Sequence, residues 1–218
     1  MGKETVMFIG AHPDDEIFGA GATLAKLKEK GSKVIVVILS YGELSGILAK
    51  KDYVIKTRVR EDKKAQEMLG IDKSYYLGLR EGHFLEEAEM RDVCERLASL
   101  IKDYKPTMII THGSRDIHPD HRATFKITVE SLKKSGVKTK LFTCQNIWGP
   151  ESSKEKKLGK MFVDVSKEFQ KKWQALKEFK SQKIAWFFLS WATYIRARAN
   201  GWRIRKKYAE VFYRMKME

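Results

Sequence analysis

The chain has 218 residues, 43% hydrophobic and 33% charged, which suits one globular domain with a substantial core and at most a C-terminal elaboration. Forty-three Lys and Arg against 28 Asp and Glu give a formal charge of +15. Residues 1–10 lack the basic start and long apolar run of a signal peptide, and no stretch reaches the roughly 20 apolar residues of a bilayer span. The two cysteines, Cys94 and Cys144, give neither metal spacing nor a disulfide framework, so a reducing cytoplasm is the expected setting.

In chain order, the apolar residues 6–9 predict a strand ending at Gly10. Ala11-His12-Pro13-Asp14-Asp15-Glu16 follows, and then a helical pattern over 17–30. The unbroken apolar run 33–39 predicts a second strand covered on both faces. A flexible loop at Tyr41-Gly42-Glu43 and Ser45-Gly46 leads to a helix over 53–69 with Val54, Ala65, Met68 and Leu69 inward and Gly70 ending it. A short strand over 74–79 precedes an amphipathic helix over 85–102, marked by Met90, Val93, Leu97, Leu100 and Ile101. Residues 107–111 form the next strand, Asp116-Ile117-His118-Pro119-Asp120-His121 the next turn, and 123–133 the next helix. Regular alternation of strand and helix implies parallel pairing through right-handed crossovers. The expected fold is therefore α/β, a Rossmann-like, mostly parallel twisted sheet with helices on both faces and the site at the C-terminal edge of its strands.

Further strands are expected at 140–144 and 160–165, separated by a polar, Lys-rich loop from Trp148-Gly149-Pro150 to Lys157. A helix over 166–183 carries Ser166 as its N-cap and Phe169, Trp173, Leu176 and Phe179 on one face. Residues 184–195 are twelve uncharged residues with two Trp and two Phe, too few to span a bilayer. One domain over 1–218 is expected, with both motifs in 1–149 and a basic, Trp-rich elaboration of the same domain in 150–218. Residues 150–218 hold 18 Lys or Arg against 7 acids, and all five tryptophans lie from 148 onward. That pairing suits an ordinary Lys-rich surface, or contact with nucleic acid, a membrane surface or another anionic partner through 184–207; 184–195 is also a candidate subunit contact.

The two His-Pro-Asp motifs occupy the same point of a strand-to-helix unit. Alone, either is an acidic turn at a helix start. With their strand ends adjacent, His12, Asp15 and His121 make three ligands around a divalent ion and leave a fourth position open to water, the pattern of a catalytic zinc site. Asp14 points away from its neighbours and is free to act as general base. His118 is placed to stabilise an oxyanion as imidazolium and to protonate a leaving amine, with Asp120 or Asp116 fixing its tautomer. Glu16 suits the helix start first and, in addition, a supporting contact behind the ligands. His112 suits a packed supporting group, and His83 carries no signal.

Ala11 to Glu16 together with His118 to His121 resembles the signature pair of the LmbE-like, PIG-L deacetylase family. Arg58-Val59-Arg60-Glu61 through Leu69-Gly70, Tyr76-Leu77-Gly78-Leu79-Arg80-Glu81-Gly82, Leu176 through Lys180-Ser181-Gln182 and Tyr208-Ala209-Glu210-Val211-Phe212 are similar to further landmarks. The resemblance implies a zinc-dependent (or other divalent-metal) enzyme that removes the acetyl group from N-acetylglucosamine in a small-molecule or lipid-linked conjugate. It implies His12, Asp15 and His121 as ligands, Asp14 as base, and His118 with Asp120 as electrostatic partner. It also implies substrate contacts at Arg58 and Glu81. Arg58 would equally suit pairing with Glu61 or Asp62 on its own helix, and family members often carry Asp where this chain has Glu81. The competing expectation is a basic binding module for nucleic acid or an anionic surface, with a metal site but no turnover.

Overall fold

A computed structural model describes residues 4–45, 50–145 and 158–216, with the side chains of 183–186 excepted. Gly46 and the expected loop from Trp148-Gly149-Pro150 to Lys157 lie outside the described residues.

The strands are β1 (Thr5–Gly10), β2 (Lys33–Ser40), β3 (Lys73–Leu79), β4 (Met108–Thr111), β5 (Lys140–Cys144), β6 (Lys160–Asp164) and β7 (Ala209–Arg214). The helices are α1 (Asp15–Glu29), α2 (Lys51–Leu69), α3 (Phe84–Met90), α4 (Val93–Tyr104), α5 (Pro119–Ser135), α6 (Phe169–Leu176) and α7 (Lys183–Arg203). The strands form one sheet in the order β3-β2-β1-β4-β5-β7-β6. The first five are parallel, and β7 runs antiparallel to both β5 and β6.

Strand alternation divides the core. Met7, Ile9, Ile35, Val37 and Leu39 face α3, α4 and α5 through Phe84, Leu97, Ile101, Ala123 and Ile127. Val6, Phe8, Val34, Val36 and Ile38 face α1 through Ala20 and Leu24. Behind α1, Ile17 and Ala25 meet Ala65 and Leu69 of α2 and Leu176 of α6. After the exposed Lys33, every residue of β2 is buried, as expected for a strand covered on both faces. Each such Val, Ile or Leu contributes about 1.5–3 kcal/mol of burial free energy.

The chain leaves β1 through α1 on one face and β4 through α5 on the other, and β1 and β4 are neighbours with Ile9 opposite Thr111. A crevice therefore opens at the carboxyl ends of these two strands, the topological switch point where open α/β sheets bind ligands.

Several local expectations change. The helix expected over 85–102 is broken into α3 and α4 at Asp92, which takes a left-handed conformation (φ 49°). Beside the break, Arg91 donates to the carbonyls of Leu77 and Gly78. Met68 and Met90 are exposed rather than inward. Ser166 does not cap α6, which begins at Phe169; its N–H (3.0 Å) and hydroxyl (2.6 Å) donate to Asp164 Oδ1 instead. The segment 184–195 belongs to the longer α7. Strand β7 places residues of the final third inside the sheet, between β5 and β6.

Candidate metal centre and active site

Gly10, the last residue of β1, has little room for a side chain: a Cβ there would lie 3.0–3.2 Å from Phe8, Ile38 and Asp15. The chain then folds back on the Asp15 carboxylate, whose Oδ2 accepts the N–H groups of Ala11 (3.0 Å) and His12 (2.7 Å). Around that carboxylate the second motif closes in. His121 Nε2 lies 3.3 Å from Asp15 Oδ1, and His112 Nε2 lies 3.1 Å from Oδ2. The His112 and His121 rings stack at 3.8 Å. His12 Nδ1 is 3.6 Å from Asp15 Oδ2, and its Nε2 is 3.2 Å from Asp120 Oδ2.

Asp15 thus lies within 3.6 Å of one ring nitrogen of each of the two other ligand candidates, His12 and His121, although the three are not one of the close trios. Among the described residues, three overlapping trios bring their ligand atoms within 4.8 Å of one another: His12 with His118 and His121, Asp15 with His112 and His121, and His12 with Glu81 and Asp120. His121 is shared by the first two.

The supporting carboxylates are distributed differently from expectation. Asp116 Oδ2 faces His121 Nδ1 at 3.1 Å, which leaves Nε2 of that ring turned toward Asp15. Asp120 faces His12 and accepts the N–H of Gly82 (3.1 Å). The His118 ring is held by the backbone: its Nδ1 accepts the N–H of Asp120 (3.2 Å) and so caps α5, with Pro119 in the first turn.

Asp14 sits outside the cluster in a left-handed conformation (φ 104°). Arg58, buried on α2, fixes it by donating to the Pro13 carbonyl (2.6 Å) and to Asp14 Oδ2 (3.3 Å). Arg58 therefore pairs with Asp14 rather than with Glu61 or Asp62 of its own helix. Glu61 accepts instead from the N–H and hydroxyl of Ser181. Gly42 (φ 71°) makes room for the guanidinium, since a Cβ there would lie 2.8 Å from Arg58 Nε. Glu81 lines the same cavity, of about 210 Å³, as His12, Asp14, Asp15, Arg58 and His118, and accepts the N–H of Leu44 (3.1 Å). His83 is exposed and pairs with Glu86.

A polar network behind Asp14 is absent from the motif reading. Asp62 accepts from the Asp14 N–H (3.2 Å), from the Tyr76 hydroxyl (2.7 Å) and from Gln66 (2.8 Å), and Gln66 also donates to Glu16 (2.8 Å). Glu16 is fully buried, so its role extends well beyond the helix dipole. The available signal was the polar series Arg58, Asp62 and Gln66 at four-residue spacing on α2, one stripe of a helix.

Burial and charge set the protonation states. Burial pushes the Asp14 carboxyl up to about 7, against the pull of Arg58. Burial also works against ionisation of Asp15, yet His121 and His112 hold it well below the usual carboxylate range. Burial opposes charge on His12 and His121, but Asp120 and Asp15 raise the first to about 9, and Asp15 and Asp116 raise the second to about 10. His118 is lowered by burial and by the two neighbouring imidazoles. Glu16 is raised by burial and by Asp62.

Residues 7–132, more than half of the chain, match the family described as PIG-L, GlcNAc-PI de-N-acetylase. The chain belongs to that family. A curated family relative, the 1D-myo-inositol 2-acetamido-2-deoxy-alpha-D-glucopyranoside deacetylase of Kineococcus radiotolerans, is 26% identical over 159 residues, covering 58% of this chain and 44% of the relative. The chain spans about half the length of the first curated relatives it matches. Among solved structures, N,N'-diacetylchitobiose deacetylase from Pyrococcus horikoshii superposes with a TM-score of 0.82 at 22% identity, over 97% of this chain and 84% of the other. The 4-carboxy-2-hydroxymuconate hydratase GalB from Pseudomonas putida KT2440 superposes with a TM-score of 0.77 at 20% identity, over 99% and 97%. A fold that also serves a hydratase does not choose the reaction; the residues of the site must.

Proposed function

We propose that this chain is a metal-dependent amide hydrolase that removes the acetyl group from an N-acetylglucosamine-type unit. The observation that carries the reading is Asp14, a carboxyl raised to about 7 and clamped by Arg58 beside a buried cluster of imidazoles and carboxylates. A proton acceptor of that pKa suits work near neutral pH.

The donor set fits zinc or a similar divalent ion, because imidazole nitrogens and carboxylate oxygens gather in overlapping trios here and Asp15 lies within 3.6 Å of His12 Nδ1 and 3.3 Å of His121 Nε2. The high proton affinity of His12 and His121 marks the same spot as one that favours positive charge. In this reading His12, Asp15 and His121 would hold the ion, which would supply Lewis acidity and lower the pKa of water beside it. Asp14 takes a proton from the attacking water. His118, with Nδ1 accepting from the backbone, carries its proton on Nε2 and donates it as a hydrogen bond to the oxygen of the reacting carbonyl. The environment favours the neutral His118 ring over the imidazolium expected from sequence, so the proton for the leaving amine returns from Asp14 as the C–N bond breaks. Asp116 and Asp120 orient His121 and His12. Glu81, on the cavity wall, contacts the sugar, and Arg58 acts mainly through Asp14.

The names of the family and of its relatives supply three substrates to test, among others: GlcNAc-PI, a glucosaminyl inositol and a chitin-derived disaccharide. The test is to incubate zinc-loaded protein with the N-acetylated form of each and follow free amine and acetate. Release on at least one, abolished by chelation and restored by zinc, is expected. Silence on all three with metal bound would overturn the deacetylase reading and leave a binding module without turnover.

A further inference from the structure

Helix α7 turns its large apolar side chains outward. At about 100° per residue, Phe187, Phe188, Trp191, Ile195 and Trp202 fall within an arc of roughly 100°. All five are more than half exposed, Trp202 to 84%. The opposite side of the helix buries Ser190, Thr193, Ala197 and Asn200, all small or polar. This inverts the usual arrangement of a surface helix; the exposed Arg198 falls on the same arc, between Ile195 and Trp202, and clustered exposed apolar side chains of this kind mark an interaction site. Trp191 also borders a recess of about 290 Å³ lined by Phe169, Trp173, Tyr194 and Tyr208, which extends the apolar face.

The charges identify the partner. Residues 183–216 carry nine Lys or Arg and a single acid, Glu210, which is buried against Lys172. Arg203, Arg205, Lys206 and Lys207 follow the apolar stripe at its C-terminal end, and all are exposed. Two copies pressed together on this face would set these cations against one another with no acid on α7 to answer them. A bilayer carrying anionic headgroups accepts both parts at once, aromatic rings at the headgroup boundary and cations at the phosphates. None of the described helices is long and apolar enough to cross a membrane, so α7 would lie along the surface. Gln182, just before α7, and Leu189 within it line the cavity that holds His12 and Asp14.

We infer that α7 is a docking face for an anionic lipid surface and that it holds the site cavity at that surface. The inference stands apart from the deacetylase reading, since docking is measured without turnover.

The test is co-sedimentation of the full chain with vesicles of phosphatidylcholine alone and of phosphatidylcholine mixed equally with phosphatidylglycerol. Partition into the anionic vesicles and not the neutral ones is expected. Substituting Trp191→Ser, Ile195→Ser and Trp202→Ser together lowers that partition at least about tenfold, because the apolar area entering the interface is removed. Arg203→Glu with Lys206→Glu lowers it independently, and far-UV circular dichroism shows both variants folded. Equal partition of the variants and the parent, or no partition of the parent, would overturn the proposal. So would a dimer in sedimentation velocity that the triple substitution dissolves, which would make a second copy the partner.

Discussion

Asp14 is the residue whose position depends most on its surroundings. A left-handed backbone at a non-glycine residue costs on the order of 1–3 kcal/mol and persists only where neighbours hold it. Here the Asp62 carboxylate takes its N–H, and Arg58 takes its side chain and the carbonyl before it. Asp62→Ala removes the first of these, leaves part-buried donors on Asp14 and Tyr76 without this acceptor, and leaves Gln66 with Glu16 alone. A loss of about 1–3 kcal/mol in chemical denaturation is expected, together with a fall in turnover at unchanged metal content. An unchanged rate would show that the clamp is not needed. The imidazoles carry a second expectation. His12 and His121, raised to about 9 and about 10, hold protons at neutral pH in the metal-free protein, and a metal must displace them. Apparent zinc affinity should therefore rise between about pH 6 and about pH 8, with proton release visible as a buffer-dependent heat in calorimetry. A flat affinity would mean that other groups bind the ion.

At the scale of elements, the buried ion pair between α6 and β7 ties the final third to the helix that carries the first motif. Lys172 Nζ donates to Glu210 and to the Phe18 carbonyl (both 2.7 Å), while Glu210 accepts the N–H groups of Ala22 (3.3 Å) and Thr23 (2.8 Å) in α1. The pair thus enters the hydrogen-bond ladder of α1. Glu210→Gln strands a buried ammonium and should cost about 3 kcal/mol, read from the denaturant midpoint; Lys172→Met in the same chain should recover part of it. Full additivity of the two losses would contradict this account. The strands and helices around the two motifs follow from period-two and period-3.6 patterns, and β1, β2, β4 and α5 stand where those patterns place them. The break between α3 and α4 was not legible, because the apolar spacing continues across it and the contact of Arg91 with the end of β3 is a tertiary one. Ser166 failed as a cap for a related reason: Asp164, two residues earlier, competes for its N–H and hydroxyl.

For the whole molecule, residue type and spacing pointed to one site made from two distant motifs, since a parallel sheet leaves few ways to arrange two equivalent strand ends. Which carboxylate serves which ring was not legible, because Asp116 and Asp120 differ only in how α5 turns them once β1 and β4 are adjacent. Nor did composition place the final third. Its charge and tryptophans stood out, but only the packing of α7 shows that Trp191 and Trp202 share an exposed face with Phe187, Phe188 and Ile195, while Leu189 of the same helix lines the cavity. In the proposed reaction the labour is divided: His12, Asp15 and His121 would hold an ion, and Asp14, next to them, would move a proton. The most direct measurement is on Asp14→Asn, with zinc content determined by mass spectrometry and acetate release followed on a substrate that the parent protein cleaves. The account predicts a full complement of zinc and a rate lowered by roughly 10²–10⁴. Zinc lost together with activity, or activity kept, would contradict it.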